Sequence, residues 1–244
     1  CEQECTRGLL DAPLAIDEIK KFIAERELNE EERYIPLCEN EEGGFYSNKM
    51  AIIGAGPAGM SAAYYLRIKG YPVTVFEKEE KPGGMLRYGI PSFRLEKDVI
   101  DAEIEVLKAM GIEFRCGVEI GKDITIDGLR EEGYEAIYLA IGAQGGKKLN
   151  IPGMNEEYVM TGVDFLREVN KEESKDMLSG HVVVIGGGNV AMDVARSALR
   201  SGAVSVDLFC LESEKDMPAS PDEVEEAIHE GITMHCGWGP QEIK

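Results

Sequence analysis

The chain has 244 residues, 43% hydrophobic and 30% charged, proportions that suit a globular protein large enough for two cores. Its formal charge of −20 argues against nucleic acid and anionic membrane surfaces as partners, since both call for a basic face. No apolar run approaches the ~20 residues of a membrane span, no signal-peptide pattern stands at the start, and six cysteines are too few for a disulfide scaffold. A reducing, cytoplasmic setting is therefore expected.

The chain starts with Cys1-Glu-Gln-Glu-Cys5, where two thiolates one helical turn apart form half of an iron–sulfur or zinc site. Cys38 is the only other cysteine nearby and the first histidine is His181, so an empty half-site is expected. Residues 15–28 read as a helix with Ile16, Ile19 and Ile23 on one stripe. Residues 30–48, with Pro36 and Gly43-Gly44, read as a linker.

Next comes Met50-Ala-Ile-Ile-Gly54-Ala-Gly56-Pro57-Ala58-Gly59-Met60, an apolar strand, a glycine turn and the start of a helix. Gly54 makes the tight turn, Gly56 lets backbone approach a pyrophosphate, and Gly59 lets helix and strand pack closely. The helix start offers free N–H groups and a positive dipole end to the phosphates. A second strand, Pro72-Val-Thr-Val-Phe-Glu77, ends in an acid suited to ribose hydroxyls. A bare G-x-G-x-x-G is weak; strand, helix, strand and acid in register predict a dinucleotide site.

The loop Pro82-Gly83-Gly84-Met85-Leu86-Arg87-Tyr88-Gly89-Ile90-Pro91 is too rich in Gly and Pro for regular structure and is placed to continue along a long dinucleotide. Residues 95–110 form an amphipathic helix (Ile100, Ile104, Leu107) closed by Gly111. Short strands follow around Val118-Glu-Ile120, then a buried strand, Ala136-Ile-Tyr-Leu-Ala-Ile-Gly142. Gly145-Gly146-Lys147 is not a P-loop, since the spacing is wrong and no Ser or Thr follows the lysine.

Ile151-Pro-Gly153 opens a new region with a helix around Phe165. His181-Val-Val-Val-Ile-Gly186-Gly187-Gly188-Asn189-Val190-Ala191 is a second fingerprint, G-x-G-x-x-A, followed by a helix over 192–201 and a strand over 204–211 ending at Glu212. Asp207 competes as the ribose acid but lies inside the strand, so Glu212 is preferred. Ser220-Pro221-Asp222-Glu223 reads as a capping box for a helix running to His229, and a strand covers 232–235.

Two dinucleotide sites with separate ribose acids imply a bound flavin and a mobile nicotinamide, the cofactors carrying the chemistry and no side chain acting as an obligatory acid or base. The chain has no H-E-x-x-H, no G-x-S-x-G and no C-x-x-C, so metalloprotease, serine-hydrolase and dithiol-relay chemistry of the thioredoxin-reductase kind are not expected.

In Cys1-Glu-Gln-Glu-Cys5-Thr-Arg-Gly, the first fingerprint, residues 83–91 with Phe93-Arg94-Leu95, Leu139-Ala-Ile-Gly-Ala143, residues 186–193 and Met217-Pro-Ala219, the chain resembles the small flavin-containing subunit of glutamate synthase and the related flavin domain of dihydropyrimidine dehydrogenase. The resemblance implies an α/β fold of two Rossmann-like domains, an FAD domain (47–150) with an inserted NAD(P) domain (151–244), after a helical remnant of an iron–sulfur segment (1–46). It implies FAD on Gly54, Gly56, Pro57, Ala58, Gly59, Glu77, Lys78, Gly84, Met85, Leu86, Arg94, Ile120, Ala140 and Gly142. It implies a nicotinamide nucleotide on Gly186, Gly188, Asn189, Val190, Ala191, Asp193 and the strand end at Glu212, with Cys1 and Cys5 the last two ligands of a [4Fe–4S] motif. Electrons would pass from NAD(P)H through FAD to iron–sulfur centres and a partner subunit.

Three departures stand out. The family's earlier cysteines are absent. Cys210-Leu211-Glu212 replaces the family's Tyr-Arg-Arg, and a glutamate repels the 2′-phosphate of NADPH that two arginines would bind, which favours NADH, with Lys215 a partial compensation. The family's return to the FAD domain is also missing, so a fragment of a longer protein is expected. Two rivals stay open: a non-catalytic nucleotide- or flavin-binding subunit of a larger redox complex, and a flavin-monooxygenase-like enzyme, against which the Cys1–Cys5 and 83–91 segments speak.

Overall fold

The computed structural model describes residues 2–37, 46–146, 148–172 and 177–244; the expectations on Cys1, Cys38, Gly43, Gly44 and Lys147 fall outside them. Two 3-10 turns (Glu2–Glu4, Thr6–Leu9) precede α1 (Ile16–Leu28), β1 (Lys49–Ile53), α2 (Pro57–Ile68), β2 (Val73–Glu77), α3 (Met85–Tyr88), α4 (Lys97–Ala109), β3 (Glu113–Cys116), α5 (Ile126–Glu131) and β4 (Tyr134–Leu139). Then come α6 (Gly162–Glu172), β5 (His181–Ile185), α7 (Asn189–Arg200), β6 (Ser205–Cys210), α8 (Pro221–His229) and β7 (Thr233–Cys236). The chain divides into two compact units, one of residues 1–53, 59–80 and 98–139, the other of residues 54–58, 81–97 and 140–244.

The first unit carries a parallel sheet in the order β3-β2-β1-β4, with Ile52 beside Val75 and Ile53 beside Leu139. All five residues of β2 are buried, Thr74 and Glu77 included, as in a strand of a parallel sheet covered on both faces. Ala51, Ile53, Phe76, Leu129 and Tyr134 form one buried cluster in this unit, with the Phe76 and Tyr134 rings edge to face at 5.6 Å.

One expectation is corrected here. The run in β4 is not buried: the strand lies at the sheet edge, with Tyr138 48% and Leu139 65% exposed. The α1 helix forms as expected, but its isoleucine stripe covers no core, since the helix has no buried residue and Ile19 and Ile23 face outward. Beyond its C-terminus, Arg33 pairs with Glu27 at 2.8 Å and donates to the Ala102 carbonyl at 2.8 Å.

The second unit carries a parallel sheet in the order β5-β6-β7. Along β6, Val206, Leu208 and Cys210 are buried and alternate with Asp207 and Phe209. They join Leu166, Met192, Ala195, Ala198 and Ala227 in one core. Residues 83–91, expected to be irregular, include the helical turn α3. The capping box does not form. Ser220 is the N-cap of α8 but makes no side-chain cap bond; its N–H donates to Asn189 Oδ1, and the Glu223 carboxylate that would take that N–H in a capping box is drawn to Arg94 (2.8 Å) and Arg196 (3.3 Å).

Candidate functional site

The first glycine turn follows β1. Gly54 holds φ +105°, and a Cβ there would collide with the Ala140 carbonyl oxygen and stand 2.9 Å from its carbon. Gly84 holds φ +53°, and a Cβ on it would lie 2.7 Å from the Gly56 Cα, so two glycines expected at the FAD site meet backbone to backbone. The Gly83 N–H donates to the Ala55 carbonyl at 2.9 Å and ties the strap to the turn. Pro57 opens α2 at the position where its missing N–H costs nothing. The next N–H groups have no intrahelical acceptor and suit a phosphate. This cradle, bare of side chains, fits a pyrophosphate. Gly142, also at positive φ, has open space where a Cβ would be.

At the carboxyl end of β2, Glu77 is 6% exposed and its carboxylate accepts the Glu79 N–H at 3.0 Å. Its own carbonyl accepts the Val118 N–H, and Ile120 bridges Ile124 just beyond; Lys78 is exposed.

Around α3 the structure adds residues that the sequence did not mark. The buried Arg87 donates to the Pro82 carbonyl at 2.7 Å, and the Lys97 ammonium donates to the carbonyls of Leu86 (3.3 Å) and Ile90. Met85 and Leu86 are thereby presented half-buried on a strap held by two cations. Burial, and then the charge of Arg87, lowers the Lys97 pKa from 10.5 to about 8. Below about pH 8 both the folded and unfolded chains carry this charge, so the folded state bears a penalty that fades as pH rises from about 8 to 10.5. Across that window the urea midpoint of the wild-type chain should rise relative to Lys97→Met; parallel pH curves for the two would refute it.

Arg94, expected on FAD, and Asp193, expected on the nicotinamide nucleotide, lie side by side: the Arg94 guanidinium pairs with Asp193 at 3.0 Å and with Glu223 at 2.8 Å.

The second turn follows β5. Gly186 (φ +141°) donates to the Phe209 carbonyl at 2.9 Å, and the Ala191 Cβ lies 3.5 Å from where a Gly186 Cβ would be, which explains the small third residue of this fingerprint. Gly188 caps α7, with open space around its α-carbon. Val190 is exposed on the first turn of α7. The Ala219 N–H donates to the Gly187 carbonyl (3.0 Å) and the Ser220 N–H to Asn189 Oδ1 (2.8 Å), so residues 217–220 brace the turn. That bracing was missed in the sequence, although Met217-Pro-Ala219 was its visible signal. Glu212 Oε2 lies 3.0 Å from where a Gly187 Cβ would sit, so the strand-end acid reaches the turn. Asp207 pairs with His235 at 2.7 Å inside the sheet.

The family model for pyridine nucleotide-disulphide oxidoreductases matches residues 48–244, which takes in both turns and both acids. The chain belongs to the pyridine nucleotide-disulphide oxidoreductase family. Membership implies FAD and a nicotinamide nucleotide. The chain is 41% identical to the NADP(+)-dependent formate dehydrogenase subunit beta of Moorella thermoacetica, over 96% of this chain and 36% of that protein. It is 37% identical to the NAD-dependent dihydropyrimidine dehydrogenase subunit PreT of Escherichia coli O157:H7, over 100% of this chain and 57% of that protein. The chain thus spans between about a third and just over half of these relatives. Among solved structures, Mycobacterium tuberculosis FprA in complex with NADPH matches 76% of this chain and 48% of that one, with 26% identity and a TM-score of 0.64. The α/β fold with parallel sheets is common to both. Among the described residues no helix is long and apolar enough to cross a membrane, and no three His, Cys, Asp or Glu side chains are grouped to hold a metal.

Proposed function

We propose that the chain is the nucleotide-binding part of a glutamate-synthase-small-subunit-like oxidoreductase, taking electrons from NADH through FAD towards iron–sulfur centres and an electron-accepting partner subunit. FAD, when bound, supplies the hydride acceptor and one-electron donor. The chain's own residues bind and orient it: the turn at 54–59 takes the pyrophosphate, Glu77 the ribose hydroxyls, and the strap around Gly84, Met85 and Leu86 continues along the molecule. Gly186, Gly188 and Asn189 would receive the second pyrophosphate, with Val190 and Ala191 on the helix start. No side chain is assigned a proton transfer.

The observation that carries the NADH reading is Glu212, whose carboxylate stands at the turn. It accepts from free ribose hydroxyls and repels a 2′-phosphate, and Lys215 is the only basic residue within 212–217. The two relatives named above differ in their stated nucleotide, so this local chemistry makes the choice. By calorimetry, the wild-type chain should bind NADH about tenfold more tightly than NADPH, a difference of ~1.4 kcal/mol, and Glu212→Ala should erase the preference. Equal affinities in the wild type would overturn the assignment.

The iron–sulfur side rests on the Cys1–Cys5 segment, where the Cys5 thiol accepts the Leu14 N–H at 3.5 Å.

A further inference from the structure

Cys210 and Cys236 are the last residues of β6 and β7 and face one another in the parallel register. Neighbouring strands run ~4.8 Å apart, inside the Cα separation of roughly 4.4–6.8 Å that a disulfide spans. Both side chains pack on the same core, Cys210 buried and Cys236 half-buried, and the Cys210 thiol donates to the Glu212 carbonyl at 3.6 Å. The second nucleotide turn lies directly above. A Cβ on Gly187 would stand 3.0 Å from the Cys210 Cβ and 3.0 Å from Glu212 Oε2. Beyond the pair, the Gly237 N–H donates to the Glu212 carbonyl and the Trp238 N–H to the Cys210 carbonyl, both at 2.9 Å, so the two strand ends move together with the ribose acid.

We propose that Cys210 and Cys236 form a redox-modification site, a dithiol that closes to a disulfide under a low-molecular-weight disulfide and in closing weakens nucleotide binding at the turn above it. The Cys236 thiolate, the more accessible, attacks one sulfur of the small disulfide and expels one small thiol. Cys210 then loses its proton and attacks the Cys236 sulfur of the mixed disulfide, expelling the second small thiol. The two protein thiols are oxidised by two electrons and the reagent is reduced to two thiols. Burial, and then the Cys236 thiol, pushes the Cys210 pKa up to about 11, which makes Cys210 the resolving partner and not the first nucleophile. Neighbouring strands hold paired residues ~4.8 Å apart, whereas a disulfide draws its Cβ atoms to ~3.8 Å. Closure therefore pulls the ends of β6 and β7 together, shifts Glu212 against Gly187, and leaves a strained bond that small thiols reopen readily.

The effect on binding rests on the nucleotide reading above; the crosslink does not. The chain is equilibrated in oxidised and reduced glutathione, its thiols are blocked, and peptides are mapped, while NADH affinity is measured in parallel. Expected are a Cys210–Cys236-linked peptide that dithiothreitol removes, its absence in Cys236→Ser, and NADH affinity about tenfold lower in the oxidised wild type than in the reduced one, with Cys236→Ser unchanged between buffers. No linked peptide in oxidising buffer, or a linked peptide with unchanged NADH affinity, overturns the proposal. If even the reduced chain binds no nucleotide, the functional reading fails, and the peptide map alone decides the dithiol.

Discussion

Gly54→Ala is expected to lose at least ~3 kcal/mol of stability, the sum of a left-handed backbone penalty and an overpacking cost. The added Cβ meets the carbonyl oxygen and carbon of Ala140, which are backbone atoms, so no side chain can swing aside. Gly117→Ala is the control. That glycine also has positive φ, +71°, but nothing lies within 4 Å of its would-be Cβ, so only the backbone term of ~1 kcal/mol applies. Urea unfolding of both variants isolates the collision. Equal losses would mean that the strand-to-helix turn is not packed against residue 140 as described.

Arg196→Met should cost about 1.5–3 kcal/mol, the worth of hydrogen bonds to charged groups, because two partly buried carboxylates each lose one of their two cationic partners. The Arg196 side chain is only 7% exposed and meets Glu226 at 2.6 Å, Glu230 at 2.7 Å and Glu223 at 3.3 Å. Its guanidinium and that of Arg200 lie 4.6 and 4.4 Å from the centroid of the Phe93 ring. Without Arg196, Glu223 keeps only the Arg94 guanidinium and Glu230 only Arg200 among the ion pairs described. Burial raises the Glu230 pKa, but Arg200 and Arg196 outweigh it and hold it below the ordinary 4.5. A depressed carboxylate pKa contributes stability above the unfolded value, which is lost as pH falls through the folded one. The loss in Arg196→Met should therefore be full at neutral pH and shrink below about pH 4. Adding Glu230→Gln should restore part of the neutral-pH loss. A variant within 1 kcal/mol of wild type at pH 7, by the usual spread of surface substitutions, would show that the cluster is solvated rather than structural.

Both fingerprints were legible because each demands special backbone: Gly54 and Gly186 have positive φ, and Ala191 is small where α7 meets the turn. The strand-end acids were legible for the same reason, since a strand, a helix and a second strand fix where the next residue stands. The fate of the 136–142 run was not. An edge strand and a buried strand can share one composition, and only the elements packed on the sheet's faces decide which side chains are covered. The capping box failed through partners remote in sequence: Glu223 had a local role open to it, but Arg94 and Arg196 claimed its carboxylate. Arg87 and Lys97 carry no local signature at all, because what they bind is backbone carbonyl oxygen exposed by the bends of the strap.

The measurement closest to the central claim is an anaerobic titration of the FAD-loaded chain with NADH and, separately, NADPH, followed at the flavin band near ~450 nm. The account predicts a bound flavin bleached at markedly lower NADH than NADPH. A chain that takes up FAD but is not bleached by either nucleotide would contradict the enzyme reading and leave the non-catalytic subunit. Bleaching that favours NADPH would contradict the role given to Glu212.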